Sequence, residues 1–441
     1  MKKLGLGLLG LIVIVVLYYF TVGSKQITSM LQAQLDAELT RMQAQGFGVS
    51  DRKKTEAKEH FIISLEEAKK ASLYFEKRGL LLSEEEAKKL KGAKLGVDVF
   101  YLKSGIAFDL YPLALPTRMS TLATNENDRQ LLIQLEKMIE KKTFLVHADI
   151  DYTATTFQGY MKDMNETVQN EGEEIKLATQ GLHFSGYIKD GEIVELKQTL
   201  EALHLYTSSE MGIHILGLKS AYISTGTTVY DYTADYTIKT IQMNSGFQGT
   251  LLADGFTLHS TSSVKDGLAA ETLKTKIQSI KILNSKEHMG LKNSVLDVKV
   301  NNLDVDAFEK LQNVDPNNEQ ELNVLLQQLI SKNVHLEISN LSADKVTLEG
   351  KSMEGFWLDA VLDIDKSLDI SSLETNPISA LDKVDANFKI SLSKELFDMV
   401  SQHPKAMIVL MVFRPEISLG KYIYSLKLKD GSLSVNGKPV R

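Results

Sequence analysis

Hydrophobic and polar positions change period along this chain, and the changes mark its elements. The first break comes after Leu4 to Ser24, an uncharged run of 21 residues. As a helix rising about 1.5 Å per residue, such a run crosses the roughly 30 Å hydrocarbon core of a bilayer. Lys2 and Lys3 precede it, which keeps the amino terminus in the cytoplasm, and Tyr18, Tyr19 and Phe20 fall at the far interface, where rings favour the headgroup layer. Cleavage after Gly23 is the competing reading. The run exceeds the core of a cleavable leader, about 7 to 15 residues, and Thr21 fits a cleavage site poorly, so an anchor is expected.

A helical period follows. Ile27, Met30, Leu31, Leu35 and Leu39 fall near one face, closed by Gly46. Two capping boxes, Ser64 with Glu67 and Ser83 with Glu86, predict helices ending at Gly79 and Gly92. Leu95 to Pro116 reads as a hairpin with an exit loop. Asn125 to Lys142 reads as a helix with Leu131, Leu132, Leu135, Met138 and Ile139 inward.

From Thr143 to Val300 the period drops to two. In "VYDYTADYTIK", Tyr230, Tyr232, Ala234, Tyr236 and Ile238 fall on one side, and Asp231, Thr233, Asp235 and Thr237 on the other. Val194, Leu196, Leu200 and Ala202 repeat the scheme. Asp190-Gly191, Asp254-Gly255 and Asp266-Gly267 read as tight turns between such strands. One wet and one apolar face indicate an antiparallel sheet. "HADIDYTATTFQGYMKDMN" weakly echoes "VYDYTADYTIKTIQMNSGFQG", read as shared strand composition. Helices return at Asp304 to Leu311, after an Asp315 cap with Pro316, and at Ser393; "AMIVLMVF", Ala406 to Phe413, reads as a buried strand. The chain closes on turns at Asp430-Gly431 and Asn436-Gly437.

The expected fold class is therefore α+β: an N-terminal transmembrane helix, then an elongated antiparallel β-sheet body with helices grouped at its ends. The expected divisions are an anchor at 1–24, a helix-rich membrane-proximal region at 25–142, a β-meander at 143–300 and an α+β region at 301–441.

Composition narrows the function. Setting aside Lys2 and Lys3 leaves 48 basic against 57 acidic side chains, net −9, and no basic stripe, which disfavours nucleic acid. With no Cys there are no disulfides, thiolate metal sites, lipoprotein anchor or Cys nucleophile. The nine histidines are scattered without a metal-binding pair spacing. Asp149/Asp151, Asp304/Asp306 and Asp363/Asp365 lack the loop of a calcium cage and read as solvated faces. Ser262 to Lys265 and Ser391 to Lys394 match Ser-x-x-Lys without the companion motifs, and Glu349 to Ser352 lacks the first glycine of a phosphate loop. No cofactor, metal or catalytic residue is expected. An aromatic lining is the remaining candidate: Tyr230, Tyr232, Tyr236, Ile238, Phe356 and Trp357, the single tryptophan, as the wall of an apolar groove.

The single amino-terminal span, the helix after it, the long alternating middle, "LDVKVNNLDVDAFEKL" at Leu296 to Leu311 and the ending "LKDGSLSVNGKPV" together resemble the YdgA-like bacterial proteins. This chain departs from them at "FGVSDRKKTEAKEHFIIS", which lacks their Tyr-x-x-Gly followed by Ser. The resemblance implies an inner-membrane anchor through residues 4–24, a bulk facing the periplasm and no established catalytic residues. The expected role is a non-enzymatic envelope binding or scaffold module. The alternatives are a lipid or lipoprotein carrier, favoured by a sheet face left uncovered by helices, and a hydrolase, favoured by clustered His and Asp.

Overall fold

Alternating apolar residues over long stretches have one low-energy use, a sheet with one face dry. The computed structural model describes residues 27–441 except 77–83, 123–125, 171, 190–191, 210, 247–248, 285–287, 312–313, 315–317, 374–375, 377–379, 403–412 and 441. The expected anchor and the strand expected at 406–413 therefore lie outside the described residues, apart from Phe413. Among the described residues no helix is long and apolar enough to cross a membrane. The fold is mostly antiparallel β-sheet with a few helices, in two compact units divided after Ile223, inside the stretch read as one meander.

The first unit is a meander in which each strand pairs with the next. It comprises β1 (Phe47–Lys54), β2 (Lys58–Leu65), β3 (Lys94–Leu102), β4 (Gly105–Ala114), β5 (Val146–Asp151), β6 (Thr156–Met161), β7 (Met164–Asn170), β8 (Glu173–Gln180), β9 (His183–Lys189), β10 (Glu192–Thr207) and β11 (Met211–Ser224). β6 with β7, and β8 with β9, are two strands interrupted midway: β6 pairs β9, β7 pairs β8, and both β8 and β9 pair β10, in one register from Glu195 to Thr207 after a shift between Ile193 and Glu195. The region 25–142 is thus not only helical. Its "FGVSDRKKTEAKEHFIIS" is the β1–β2 hairpin, and Ser64 sits in β2 instead of capping a helix.

Helices cover one side of this sheet. Leu35, Leu39 and Met42 of α1 (Ile27–Ala44), Ala71 and Tyr74 of α2 (Ala68–Glu76), Ala87 of α3 (Glu84–Lys89) and Met138 of a later helix, Glu126–Glu140, join Phe61, Val97, Phe108 and Val146 in one buried cluster. Inside it lies a polar knot. Glu59 is fully buried, ion-pairs with Arg52 and accepts a hydrogen bond from Tyr101 Oη at 2.9 Å. Arg52 also pairs with Asp36 of α1, so the knot ties helix to sheet. Desolvation and the carboxylate both push the Tyr101 hydroxyl pKa upward, keeping it a donor.

The second unit is also a meander: β12 (Tyr232–Ser245), β13 (Thr250–Lys265), β14 (Leu268–Leu283), β15 (His288–Asp304), β16 (Val334–Leu348), β17 (Lys351–Ile364), β18 (Val384–Ser393) and β20 (Lys421–Lys429) pair in that order. β19 (Glu416–Ser418) and β21 (Ser432–Val435) lie along the outer edge of β20, and β22 (Lys438–Pro439) follows β21. Asp266-Gly267, Asp430-Gly431 and Asn436-Gly437 are tight turns, each with two positive-φ residues. Asp304 and Ser393 cap helices as expected: Asp304 Oδ1 accepts from Ala307 N at 2.9 Å, and Ser393 Oγ from Leu396 N at 3.2 Å. The helix expected from an Asp315 cap instead spans Glu319–Leu329, capped by Asn318.

Two outcomes follow from the first unit. Arg52→Ala leaves Glu59 buried without its cation and should cost about 3 to 5 kcal/mol in urea unfolding; a loss below about 1 kcal/mol would show the pair to be superficial. Asp98 sits between His60 Nδ1 at 2.9 Å and Tyr111 Oη at 3.0 Å. Burial works against its ionised form, but these hydrogen bonds and the charges of Lys58 and Lys142 hold its pKa below normal. Its contribution is therefore complete above an unfolded value near 3.9 and is lost as pH falls through the lower folded value. Asp98→Asn should abolish that part of the acid loss, read as a shallower fall of melting temperature below about pH 4.

Candidate apolar binding face

Strict alternation alone would keep one side of these strands dry. The sequence departs from it in a shared change of phase. Apolar positions are spaced by two, then once by three, then by two again: Tyr236, Ile238, Ile241 and Met243 in β12; Leu258, Phe256, Ala253 and Leu251 in β13; Leu273, Ile277, Ile280 and Ile282 in β14. β15 changes between Leu296 and Leu291, and β17 between Phe356 and Met353. The change falls at one height across the sheet. Lys239, Gly255, Gln278, Asn293, Asp344 and Gly355 lie in a row that the ladder pairing skips, while the registers of β12 through β14 continue unaltered on either side.

The backbone device is a left-handed residue inside a strand. Gly255 has φ +64° and Asn293 φ +51°, and Gln278 lies over the glycine: a Cβ there would sit 2.5 Å from Gln278 Cγ. Asp254-Gly255 is therefore not the turn expected from its residues but a break in mid-strand. The first unit repeats the arrangement. Gly181 and Gly217, at φ +65° and +63°, flank Glu201 in a skipped row, and the apolar positions of β10 run Leu196, Leu200, Leu203, Leu205. The packing shows what the change of phase achieves. Phe356 and Leu392 from one side of the row, and Val346, Leu348 and Met353 from the other, pack in one cluster with Leu396. Met161 and Met164 do the same in the first unit's core. The apolar residues stay on one side.

In the first unit that side is buried where the helices pack on it, over β1 to β7, while β10 and β11 stay half-buried. In the second unit the described helices touch only parts of it. α6 (Val305–Leu311 in this chain order, after the short α4, Thr117–Leu122, and α5, Glu126–Glu140) and α7 (Glu319–Leu329) meet β15. α8 (Lys394–Ser401) meets β17, β18 and β20 through Leu396 and Met399. Between them Ile238, Leu258, Phe256, Leu273, Ile277 and Val298 are only half-buried, and Tyr236 remains 41 % exposed. Eight paired strands at about 4.8 Å give this stripe a width of about 34 Å. It ends at β12 in a polar group: Tyr232 Oη donates to Glu271 Oε1 at 3.5 Å and Ser260 Oγ to the same oxygen at 3.1 Å. At the β20 end the Tyr424 hydroxyl, opposite Ile390, is buried with no hydrogen-bond partner among the described residues, and burial raises its pKa.

The six expected lining residues divide. Tyr236, Ile238 and Phe356 lie on the stripe, and Tyr232 closes its end. Tyr230 precedes β12 and sets its ring edge-on to Phe308 at 6.2 Å. Trp357, one residue from Phe356, faces the other side between Ser342 and Ser391, with Lys389 Nζ 5.9 Å from its ring. Asp231 is not on a wet face: it is buried, accepting from Val264 N at 2.8 Å and from Thr228 N at 2.9 Å, bonds that depress its pKa. Residues missed by the sequence reading are Phe256, Leu258, Ile277 and Val298, which periodicity alone marks as core. The histidines are not all apart: His204 and His214 are cross-strand partners with Nδ1 atoms 2.6 Å apart. Among the described residues no group of three or more His, Asp or Glu side chains is placed to hold a metal ion. No family model, curated protein or solved structure matches the chain.

The row makes a separable prediction. Gly255→Ala must hold an alanine at φ +64° against Gln278 and should cost about 1 to 2 kcal/mol for the backbone alone. Gln278→Ala should relieve the contact and not the backbone term, so a double-mutant cycle in urea should leave at least the backbone part unrecovered.

Proposed function

We propose that the second unit binds the acyl chains of a lipid or lipoprotein on its apolar sheet face, and that the chain is a non-enzymatic carrier in a bacterial envelope. The observation that carries this reading is the half-exposed stripe through Ile238, Phe256, Ile277 and Val298, a continuous apolar surface with no described helix over its middle. Contiguous apolar surface left to water is the usual mark of a binding face. Each methylene laid on it contributes roughly 0.8 kcal/mol, so one long chain offsets the cost of being held. The unpartnered Tyr424 hydroxyl and the Tyr232–Glu271 group provide polar points at the two ends, which suits an amphipathic ligand. The layout shared with the YdgA-like proteins, and the uncharged run at residues 4–24, support a tether in the inner membrane with the bulk in the periplasm.

The test is organic extraction and mass spectrometry of residues 24–441 purified after export to a periplasm. The expected result is stoichiometric lipid, reduced severalfold by Ile277→Asp or Val298→Asp, which place a charge on the stripe at half-exposed positions. Lipid-free, monodisperse protein would overturn the carrier reading and leave a scaffold whose partner is another protein.

A further inference from the structure

The side of the first unit's sheet that faces away from its core has its own pattern. Cross-strand partners place Asp149, Gln158, Ser185 and Lys197 in one row running across β5, β6, β9 and β10, with the small residues Ala107 and Ala221 at its ends. The next row on one side carries His147, Tyr160 and His183, and the next on the other carries Tyr187 between Thr156 and Glu195. This polar row between aromatic ones lines a trough. Two hollows of about 690 and 520 Å³ lie there, sharing Asp149, Gln158, Ser185 and Lys197.

The rings are held for contact with something outside the fold. Tyr160 stacks on His147 at 5.1 Å and leans on His183 at 6.3 Å, yet 42 % of its surface stays exposed, as does 42 % of Tyr187. His147 is fixed in turn by Asp109 at 2.7 Å and Asp149 at 3.3 Å. The floor has unused hydrogen-bonding capacity: Gln158 and Ser185 have no side-chain partner among the described residues, and each can both donate and accept. Asp149, Asp151 and Glu195 outnumber Lys197, which repels phosphate and sulfate groups. Flat rings at the rim, paired donors and acceptors on the floor and an excess of negative charge fit one ligand chemistry: a chain of neutral pyranose rings, with C–H faces against tyrosine and hydroxyls on the polar row.

We propose that this trough binds a neutral oligosaccharide laid across the strands along the Asp149–Lys197 row. The site lies wholly within the first unit and is independent of the acyl-chain reading. The experiment is calorimetric titration of the full chain, in a zwitterionic detergent free of sugar headgroups, with cellohexaose, chitohexaose and maltohexaose in turn. At least one should bind, and Tyr160→Ala and Tyr187→Ala should each weaken it about tenfold, equal to about 1.4 kcal/mol, while the fold persists with melting temperature lowered by no more than a partly exposed cross-strand ring contact contributes. Gln158→Ala should weaken binding to a similar degree, and Tyr236→Ala in the second unit should leave it unaltered. Absence of binding by all three sugars, or binding indifferent to both tyrosine substitutions, overturns the proposal.

Discussion

One backbone constraint underlies both sheets: long paired strands must keep a single side apolar while twisting. A change of phase in one strand alone would turn its side chains to the wrong face and ruin the register with its neighbours. Here every strand crossing the row changes phase at the same height, so the ladders resume with partners unchanged. Left-handed conformations at Gly181, Gly217, Gly255 and Asn293 absorb the change in alternate strands. The intervening strands contribute Glu201 and Gln278, whose long side chains lie where a Cβ on the glycine would go. Glycine is needed at these sites for φ and for space together, and asparagine serves where space is less tight.

Alternation made the antiparallel sheet legible from Tyr232 to Ile238 and from Val194 to Leu200, because two-residue periodicity needs no tertiary information. The interruption was hidden by the ambiguity of Asp-Gly. That pair forms a hairpin at Asp266-Gly267, where both residues have positive φ, and a mid-strand break at Asp254-Gly255, where only the glycine does. A spacing of 36, 38 and 38 residues between the four left-handed positions is a periodic signal, visible in the numbering once the strands are known. The candidate lining was half legible for the same reason. Phe356 and Trp357 are adjacent, so strand geometry must send them to opposite faces, and only the register with Leu392 and Ser391 says which face is dry.

A capping signal yields wherever a strand competes for the same residues. Ser64 with Glu67 has the letters of a capping box, but "HFIIS" sets Phe61 and Ile63 opposite Val97 and Leu95 in β3, and pairing in the core outweighs a cap of about 1 kcal/mol. At Asp304 and Ser393 no such competitor exists, since each ends a strand, and the capping bonds form. Capping signals at Asp304 and Ser393 therefore mark helix starts at the last paired residue of a strand.

The same folding rule yields different surfaces in the two units because helices are distributed unequally. In the first, four helices supply Leu39, Met42, Tyr74, Ala87 and Met138 to the dry side, and the Arg52–Glu59–Tyr101 knot fixes the cover in place. What remains open is the polar side, with its tyrosines and unused amide and hydroxyl groups. In the second, helices reach only parts of the dry side, so the open surface is apolar over the width of several strands, and its outer side carries the cross-strand pairs His335–Asp363 and His259–Asp235. Cross-strand pairs along these long ladders contribute to the second unit's stability where no described helix packs on its dry side. The row of left-handed residues keeps that apolar surface continuous, since without it the surface would change sides halfway along each strand; on the acyl-chain reading proposed above, this continuity is what a single extended chain would require.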